Sequence, residues 1–147
     1  MKTLLHWFIF VLLAANLAWA LEPGTALKLP ESGCNLARTG GGWINVEATE
    51  NRLVVKFFDS EKKTMPPDVV RATARVVYPA RKDRRVVLNP DGDTLVSPPS
   101  ILPPLVFRIH LSLFATDGAE AESFVVQYPG GSAINTNQQV PAELETN

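Results

Sequence analysis

The sequence predicts an all-β protein, built as a sandwich of two sheets with six or seven short strands. Three observations predict it. Apolar and polar residues alternate with a period of two in several segments, turn-forming residues separate these segments at intervals of roughly 8 to 14 residues, and no segment after residue 20 requires a helix of ordinary length. An open barrel is the alternative arrangement of the same strands.

Recognisable turns separate the predicted strands. Glu50-Asn51 follows the first strand and Asp117-Gly118 precedes the last, and both dipeptides predict hairpins. The two proline pairs in residues 97–104 predict an extended crossing between the sheets, because proline cannot pair centrally in a sheet. The predicted strands are residues 43–49, 53–58, 70–78, 85–89, 105–114 and 123–128. Their arrangement is similar to that of immunoglobulin-like and fibronectin-like sandwiches, an architecture that hosts many functions.

Residues 1–20 have the three parts of a secretory signal peptide. Lys2 precedes a largely apolar run from Leu4 to Leu13, and Ala18 and Ala20 are the small residues that a signal peptidase requires. We therefore expect cleavage after Ala20 and an exported protein, periplasmic or extracellular. An uncleaved membrane anchor is the alternative.

Composition divides the rest of the chain into three parts. Residues 21–42 are rich in proline and glycine and are expected to be irregular. Residues 43–128 carry the alternating strands and form the sandwich domain. Residues 129–147 are polar and nearly free of aromatic side chains, so we expect a disordered tail.

The overall charge balance gives no bulk attraction to nucleic acid or to anionic lipid. The chain has 14 basic and 15 acidic side chains, and loss of Lys2 with the leader gives a formal net charge of −2. We therefore expect no binding to nucleic acid and none to a membrane after cleavage of the leader.

One short segment departs from this balance. Arg81, Lys82, Arg84 and Arg85 place four cations within five residues of a predicted loop. Such a cluster suits phosphate, a sulfated polymer or an acidic protein face, so these four residues are the candidate partner-binding site. Three further arginines, at positions 71, 75 and 108, extend the site if their polar faces share a sheet. A merely solvated turn is the alternative interpretation.

Metal handling is a second hypothesis, although the sequence implies no particular cofactor. Cys34, Met65 and His110 are the soft ligands left for copper after removal of the leader. A calcium site would use the oxygen ligands of a short loop, and no EF-hand pattern continues from it. The calcium candidates are Asn89, Asp91 and Asp93.

His110 and Cys34 carry the remaining chemical hypotheses. His110 is the one histidine of the mature chain, and a hydrolase would use it as a base beside a serine, threonine or cysteine that no motif identifies. Since that partner is missing, we expect no enzymatic activity. Cys34 is the one cysteine, so in an oxidising compartment it is a candidate for an intermolecular disulfide.

A sheet edge is the other expected route to association. Residues 53–58 and 124–128 combine high β propensity with little charge, and such edges can add a strand from a partner. Phe58, Val77 and Phe114 would then form an apolar outer patch. The sequence thus favours an exported, non-enzymatic binding or accessory module whose partner is another protein or an anionic polymer.

Overall fold

The computed structural model describes residues 27–130 and 133–135. This part of the chain contains strands, turns and loops and no helix, which confirms the all-β prediction. The predicted signal peptide, residues 1–20, lies outside the described residues. The strands are β1 (Cys34–Ala37), β2 (Trp43–Thr49), β3 (Arg52–Phe58), β4 (Thr64–Met65), β5 (Arg71–Val77), β6 (Arg84–Asp91), β7 (Thr94–Val96), β8 (Phe107–Phe114), β9 (Glu120–Tyr128) and β10 (Ala133–Asn135).

The predicted hairpins form where their turns were expected. Glu50 and Asn51 connect β2 to β3 with φ angles of 49° and 61°, and Thr49 pairs with Arg52. Positive φ at both central residues is the turn geometry that matches the twist of the flanking strands. Between β8 and β9, Gly118 has a φ of 80° and its amide donates to the carbonyl of Ala115.

The strands form one continuous and nearly closed sheet. Its order is β1-β2-β3-β7-β6-β5-β8-β9-β10, and β4 pairs with β3 outside this path. β6 makes the continuity possible, because residues 84–88 pair with β5 and residues 89–91 pair with β7. The two ends of the path, β1 and β10, lie beside each other.

Alternating side chains from all sides of the sheet fill one core. Each of the long strands buries every second residue, as the period-two pattern requires. Full burial of one large apolar side chain contributes about 1.5–3 kcal/mol, so this interior is the main stabilising element of the fold. The largest fully buried side chains include Phe57, Leu53, Leu88, Leu95, Ile101, Phe107, Ile109, Leu111, Leu113 and Phe124.

Three aromatic rings close the core at the end of the sheet where β5 stops and β6 begins. Phe107 stacks on Tyr128 with 5.2 Å between ring centroids and meets Tyr78 edge to face at 5.4 Å. The hydroxyl of Tyr78 accepts a hydrogen bond of 3.1 Å from the amide of Leu102. Tyr78 thereby ties the crossing segment, residues 97–104, to the end of β5.

An ion-pair network closes the opposite end. Arg38 donates to Glu122 at 2.6 Å and to Asp68 at 2.8 Å, and its guanidinium lies 5.5 Å from the ring centroid of Phe57. The amide of Thr39 donates to the second oxygen of Glu122 at 2.7 Å. Both charged side chains of the Arg38–Glu122 pair are nearly buried, so the network ties the chain after β1 to β9.

The segment expected to be irregular, residues 21–42, contains an ordered strand, β1. Cys34 and Leu36 face the core, and Asn45 on β2 is buried beneath the residues that precede β1. The Asn45 amide nitrogen donates to the carbonyl of Ser32 at 2.8 Å. At Gly33, φ is 76° and a Cβ atom would lie 2.6 Å from the carbonyl oxygen of Val46, so this close approach requires glycine.

The expected disordered tail, residues 129–147, also contains a strand. Residues 133–135 pair antiparallel with residues 124–126 of β9 as β10. The side of β9 that does not pair with β8 supplies backbone partners to this segment, and composition alone does not reveal such a pairing. Most of the tail lies outside the described residues.

Candidate functional site

The basic loop between β5 and β6 forms one wall of an open cleft of about 460 Å³. Arg81 and Lys82 lie in the loop, and Arg84 and Arg85 begin β6. All four side chains are exposed and all four line this cleft, so the structure brings the predicted partner-binding residues together. We call this site the basic cleft.

The four cations reach one cleft because the basic loop leads directly into the beginning of β6. Arg84 occupies the same face of β6 as the buried Val86, but it lies at the strand end, where the core stops and the side chain meets solvent. Arg85 faces the outside of the sheet. The cleft therefore surrounds the beginning of β6, and cationic side chains from both faces of this strand line it.

The opposite wall is held by hydrogen bonds to other parts of the fold. Tyr78, Ser100 and Leu102 line it, and the side chain of Ile101 between the last two is fully buried. The amides of Ser100 and Ile101 each donate to the carbonyl of Asn51 at 2.8 Å. These contacts fix the wall before any partner arrives, which lowers the entropic cost of binding.

The cations of the basic cleft have no acidic partner among residues 27–130. The acid within the run, Asp83, instead accepts two hydrogen bonds from Arg75, at 2.6 and 2.9 Å. Because Arg75 offsets the charge of Asp83, Arg81, Lys82, Arg84 and Arg85 are left to attract anions from solution. This arrangement contrasts with the net negative charge of the chain.

The three arginines expected to extend the site do share the outer face of one sheet region. Arg75 on β5 lies directly opposite Arg85 on β6 and His110 on β8. Arg108 lies on the same face of β8, two residues before His110. Arg71 lies at the far end of β5, where its guanidinium is 5.3 Å from the ring centroid of Phe114.

A second depression of about 470 Å³ lies on this outer face. Thr73, Arg75, Arg85, His110 and Ser112 line it, together with Val87. We call it the outer groove. Arg85 lines both the groove and the basic cleft, so the two depressions are adjacent.

The surroundings of His110 give no support to a hydrolase. His110 is exposed on the outer face of β8, opposite Arg75 and Val125. Ser112 lies on the same face, but its hydroxyl is 3.1 Å from that of Ser123. In the described part of the chain, His110 makes no side-chain hydrogen bond to a hydroxyl or carboxyl group, so no nucleophile–base pair is assembled there.

The residues considered for copper are not brought together. Cys34 faces the core from β1, Met65 packs against the core from β4, and His110 points outward from β8. The calcium candidates are all exposed: Asn89 and Asp91 lie at the end of β6, and Asp93 lies in the turn before β7. Residues 27–130 contain no cluster of three or more histidine, cysteine, aspartate or glutamate side chains placed to hold a metal ion.

Cys34 is 1% exposed and makes no disulfide. Its sulfur lies 3.9 Å from the carbonyl oxygen of Gln127. An intermolecular disulfide would therefore require β1 to separate from the core, and this candidate stays a prediction.

The two strands expected to be edges are interior strands. β3 pairs with β2 and β7, and β9 pairs with β8 and β10. Phe58 is 5% exposed, and Phe114 lies under Arg71, so neither contributes an open apolar patch. The expected edge position of these two strands was wrong, because β propensity identifies a strand but not its neighbours. Association through a sheet edge stays a prediction.

The second wall of the basic cleft could not be predicted from the sequence. Ser100 and Leu102 belong to the proline-rich crossing, which looks like a plain connector when only its composition is considered. Its attachment to Tyr78 and to Asn51 joins residues distant in sequence, and no local pattern signals such a contact.

Comparison of the chain with known protein families, with curated proteins and with solved structures gives no significant match. Among the described residues, no helix is long and apolar enough to cross a lipid bilayer.

Proposed function

We propose that the chain is an exported, non-enzymatic binding module that holds an anionic partner in the basic cleft. One observation carries this proposal: Arg81, Lys82, Arg84 and Arg85 converge on one cleft, and the acid among them is bonded to Arg75. The signal-peptide pattern of residues 1–20 supports the exported location.

The chemistry of the four side chains favours an oxyanion. Arginine presents a planar fork of donors that matches carboxylate, phosphate and sulfate groups, and lysine adds a mobile point charge. Each exposed contact contributes only about 0.5 kcal/mol. Four together give about 2 kcal/mol, which corresponds to about a 30-fold difference in Kd.

The fold suits this role. As its finer description we propose a flattened, sandwich-like barrel, supported by the way β6 leaves β5 to pair with β7. Such a scaffold holds a loop-built cleft at one end of a packed core, and binding residues are often carried on loops placed by a rigid scaffold.

Retention on a sulfonate cation-exchange resin tests the proposal. The processed protein has a net negative charge, so we expect retention at pH 7 and low salt only because the cations are clustered. The double variant Arg81→Ser/Lys82→Ser should elute at lower salt, and adding Arg84→Ser and Arg85→Ser should abolish retention.

The matched control is Lys62→Asn/Lys63→Ser, which removes the same charge from the loop after β3, at the opposite end of the sheet. We expect this variant to elute close to the wild type. Equal elution of the two double variants would show that bulk charge governs retention, and the proposal would then be wrong.

A further inference from the structure

We propose that the partner is a linear polyanion, and that it runs from the basic cleft across Arg85 into the outer groove. This inference rests on the proposed function and names the class of its ligand. It goes beyond a single bound anion, because it assigns a second subsite to Arg75, His110 and the hydroxyl group of Thr73.

The adjacency of the two depressions is the first observation. Arg85 and Val86 line both of them, so only the beginning of β6 lies between the cleft and the groove. A compact anion would occupy one depression, whereas a chain of repeated anionic groups can occupy both. Arg85 lies at the junction, where such a ligand would pass from the loop onto the outer face of the sheet.

The register of three strands is the second observation. Arg85, Arg75 and His110 lie directly opposite one another on β6, β5 and β8. Adjacent strands are about 4.8 Å apart, so Arg75 extends the cationic surface by about 5 Å beyond Arg85, and His110 adds its ring nitrogens about 5 Å further along the row. In the neighbouring row Thr73 lies opposite Ser112. The Ser112 hydroxyl donates to Ser123, which in turn donates to Glu120, so Thr73 is the hydroxyl that can add a neutral donor beside the charges.

Asp83 gives the site an internal competitor. Its carboxylate lines the basic cleft while it accepts hydrogen bonds from Arg75, which lines the groove. An anionic group of the ligand would take the place of this carboxylate on Arg75. The Arg75–Asp83 pair is half-exposed, with 52% and 33% of the side chains accessible, so it can open without disturbing the core.

A linear polyanion fits this surface better than an acidic protein face. The cations follow a bent path, from a loop around the end of β6 and onto a sheet, rather than a flat patch. A flexible chain follows such a path, and it gains contacts in proportion to its length. The common chemistry is a repeated sulfate, phosphate or carboxylate group.

A length series tests the inference. The probes are heparin-derived oligosaccharides from disaccharide to octasaccharide, with linear polyphosphates and oligogalacturonates of matched lengths to distinguish the anionic group. Titration calorimetry should show affinity that rises with length and then levels off once the probe spans both depressions. The salt dependence of binding should also steepen with length, because each added ion contact releases counterions.

Two variants isolate the outer groove. Asp83→Asn removes the competing charge and should raise the affinity of all probes by about fivefold, on the scale of one exposed ion pair. Comparison of Asp83→Asn with Asp83→Asn/Arg75→Gln then measures the contribution of Arg75 to affinity, without the Asp83 charge. We expect no difference for the disaccharide and a severalfold loss for the octasaccharide.

The outcomes separate this inference from the proposed function. If affinity did not rise beyond the disaccharide, the proposal of a polymeric ligand would be wrong and a cleft for a single anion would remain. The same conclusion would follow if removal of Arg75 lowered the affinity of short and long probes equally. Tighter binding of a folded acidic protein than of every oligomer would overturn it in favour of a protein partner. Failure of all probes, together with no retention on the cation-exchange resin, would reject both.

Discussion

At the scale of single residues, burial decides which ion pairs stabilise the fold. Arg38 has 11% of its side chain exposed and Glu122 has 7%, whereas Lys63 and Glu61 have 60% and 68% exposed at the same 2.6 Å separation. Burial opposes the charge on Arg38, but the hydrogen bonds that its guanidinium donates to Asp68 and Glu122 outweigh this effect. The pKa of Arg38 therefore lies above its ordinary value.

Removal of Arg38 should destabilise the protein strongly. Arg38→Met leaves the carboxylate of Glu122 buried without its cation, and we expect a loss of about 3 kcal/mol in the free energy of unfolding. Glu122→Gln keeps a hydrogen-bonding group of similar size and should cost about 1 kcal/mol. Urea denaturation of the variants measures both losses.

The exposed pair provides the control for this experiment. Lys63→Met removes a pair of equal length from a solvated loop and should change stability by less than about 0.5 kcal/mol. If Lys63→Met and Arg38→Met destabilised the protein equally, the Arg38 network would not have the structural role assigned to it.

At the scale of elements, the β2–β3 hairpin combines the Glu50-Asn51 turn with a cross-strand ion pair. Lys56 on β3 donates to Glu47 on β2 at 3.0 Å, on the outer face of the sheet. This hydrogen bond, more than any other contact, holds the pKa of Glu47 below its ordinary value of 4.5. The pair thus contributes stability above that pH and loses it as the pH falls through the lowered pKa.

Glu47→Gln tests this linkage. We expect the variant to be less stable than the wild type by about 0.5 kcal/mol at pH 7, the scale of a partly exposed pair. The difference should disappear below the pKa of Glu47, because both proteins are then neutral at this position. Thermal unfolding measured across the acid range checks it. A difference that stays constant down to the lowest pH would contradict the assignment.

At the scale of the whole molecule, local patterns were predictable and long-range pairing was not. The Glu50-Asn51 turn and the alternation in β8 depend only on residues that are close together in the sequence, and both were predicted. The change of partner along β6, the Arg38–Glu122 pair and the burial of Asn45 under residues near Ser32 each depend on the closure of the sheet. Strand propensity carries no information about closure, so these features were not predictable.

The candidate site divides in the same way. The four cations were visible as a run in the sequence, and their loop location followed from the proline that ends β5. Their convergence with Ser100 and Leu102, and the alignment of Arg85 with Arg75 and His110, needed the register of the sheet. The sequence thus supplied the charges, and the fold supplied the cleft.

The most direct test of the central claim is NMR mapping of amide shifts in the processed protein during titration with the heparin-derived octasaccharide. We expect saturable shift changes at residues 81–85 and 100–102 that extend to Arg75 and His110. Changes confined to other surfaces, such as residues 59–63, or no changes at all, would contradict an anion-binding cleft at the junction of β5 and β6.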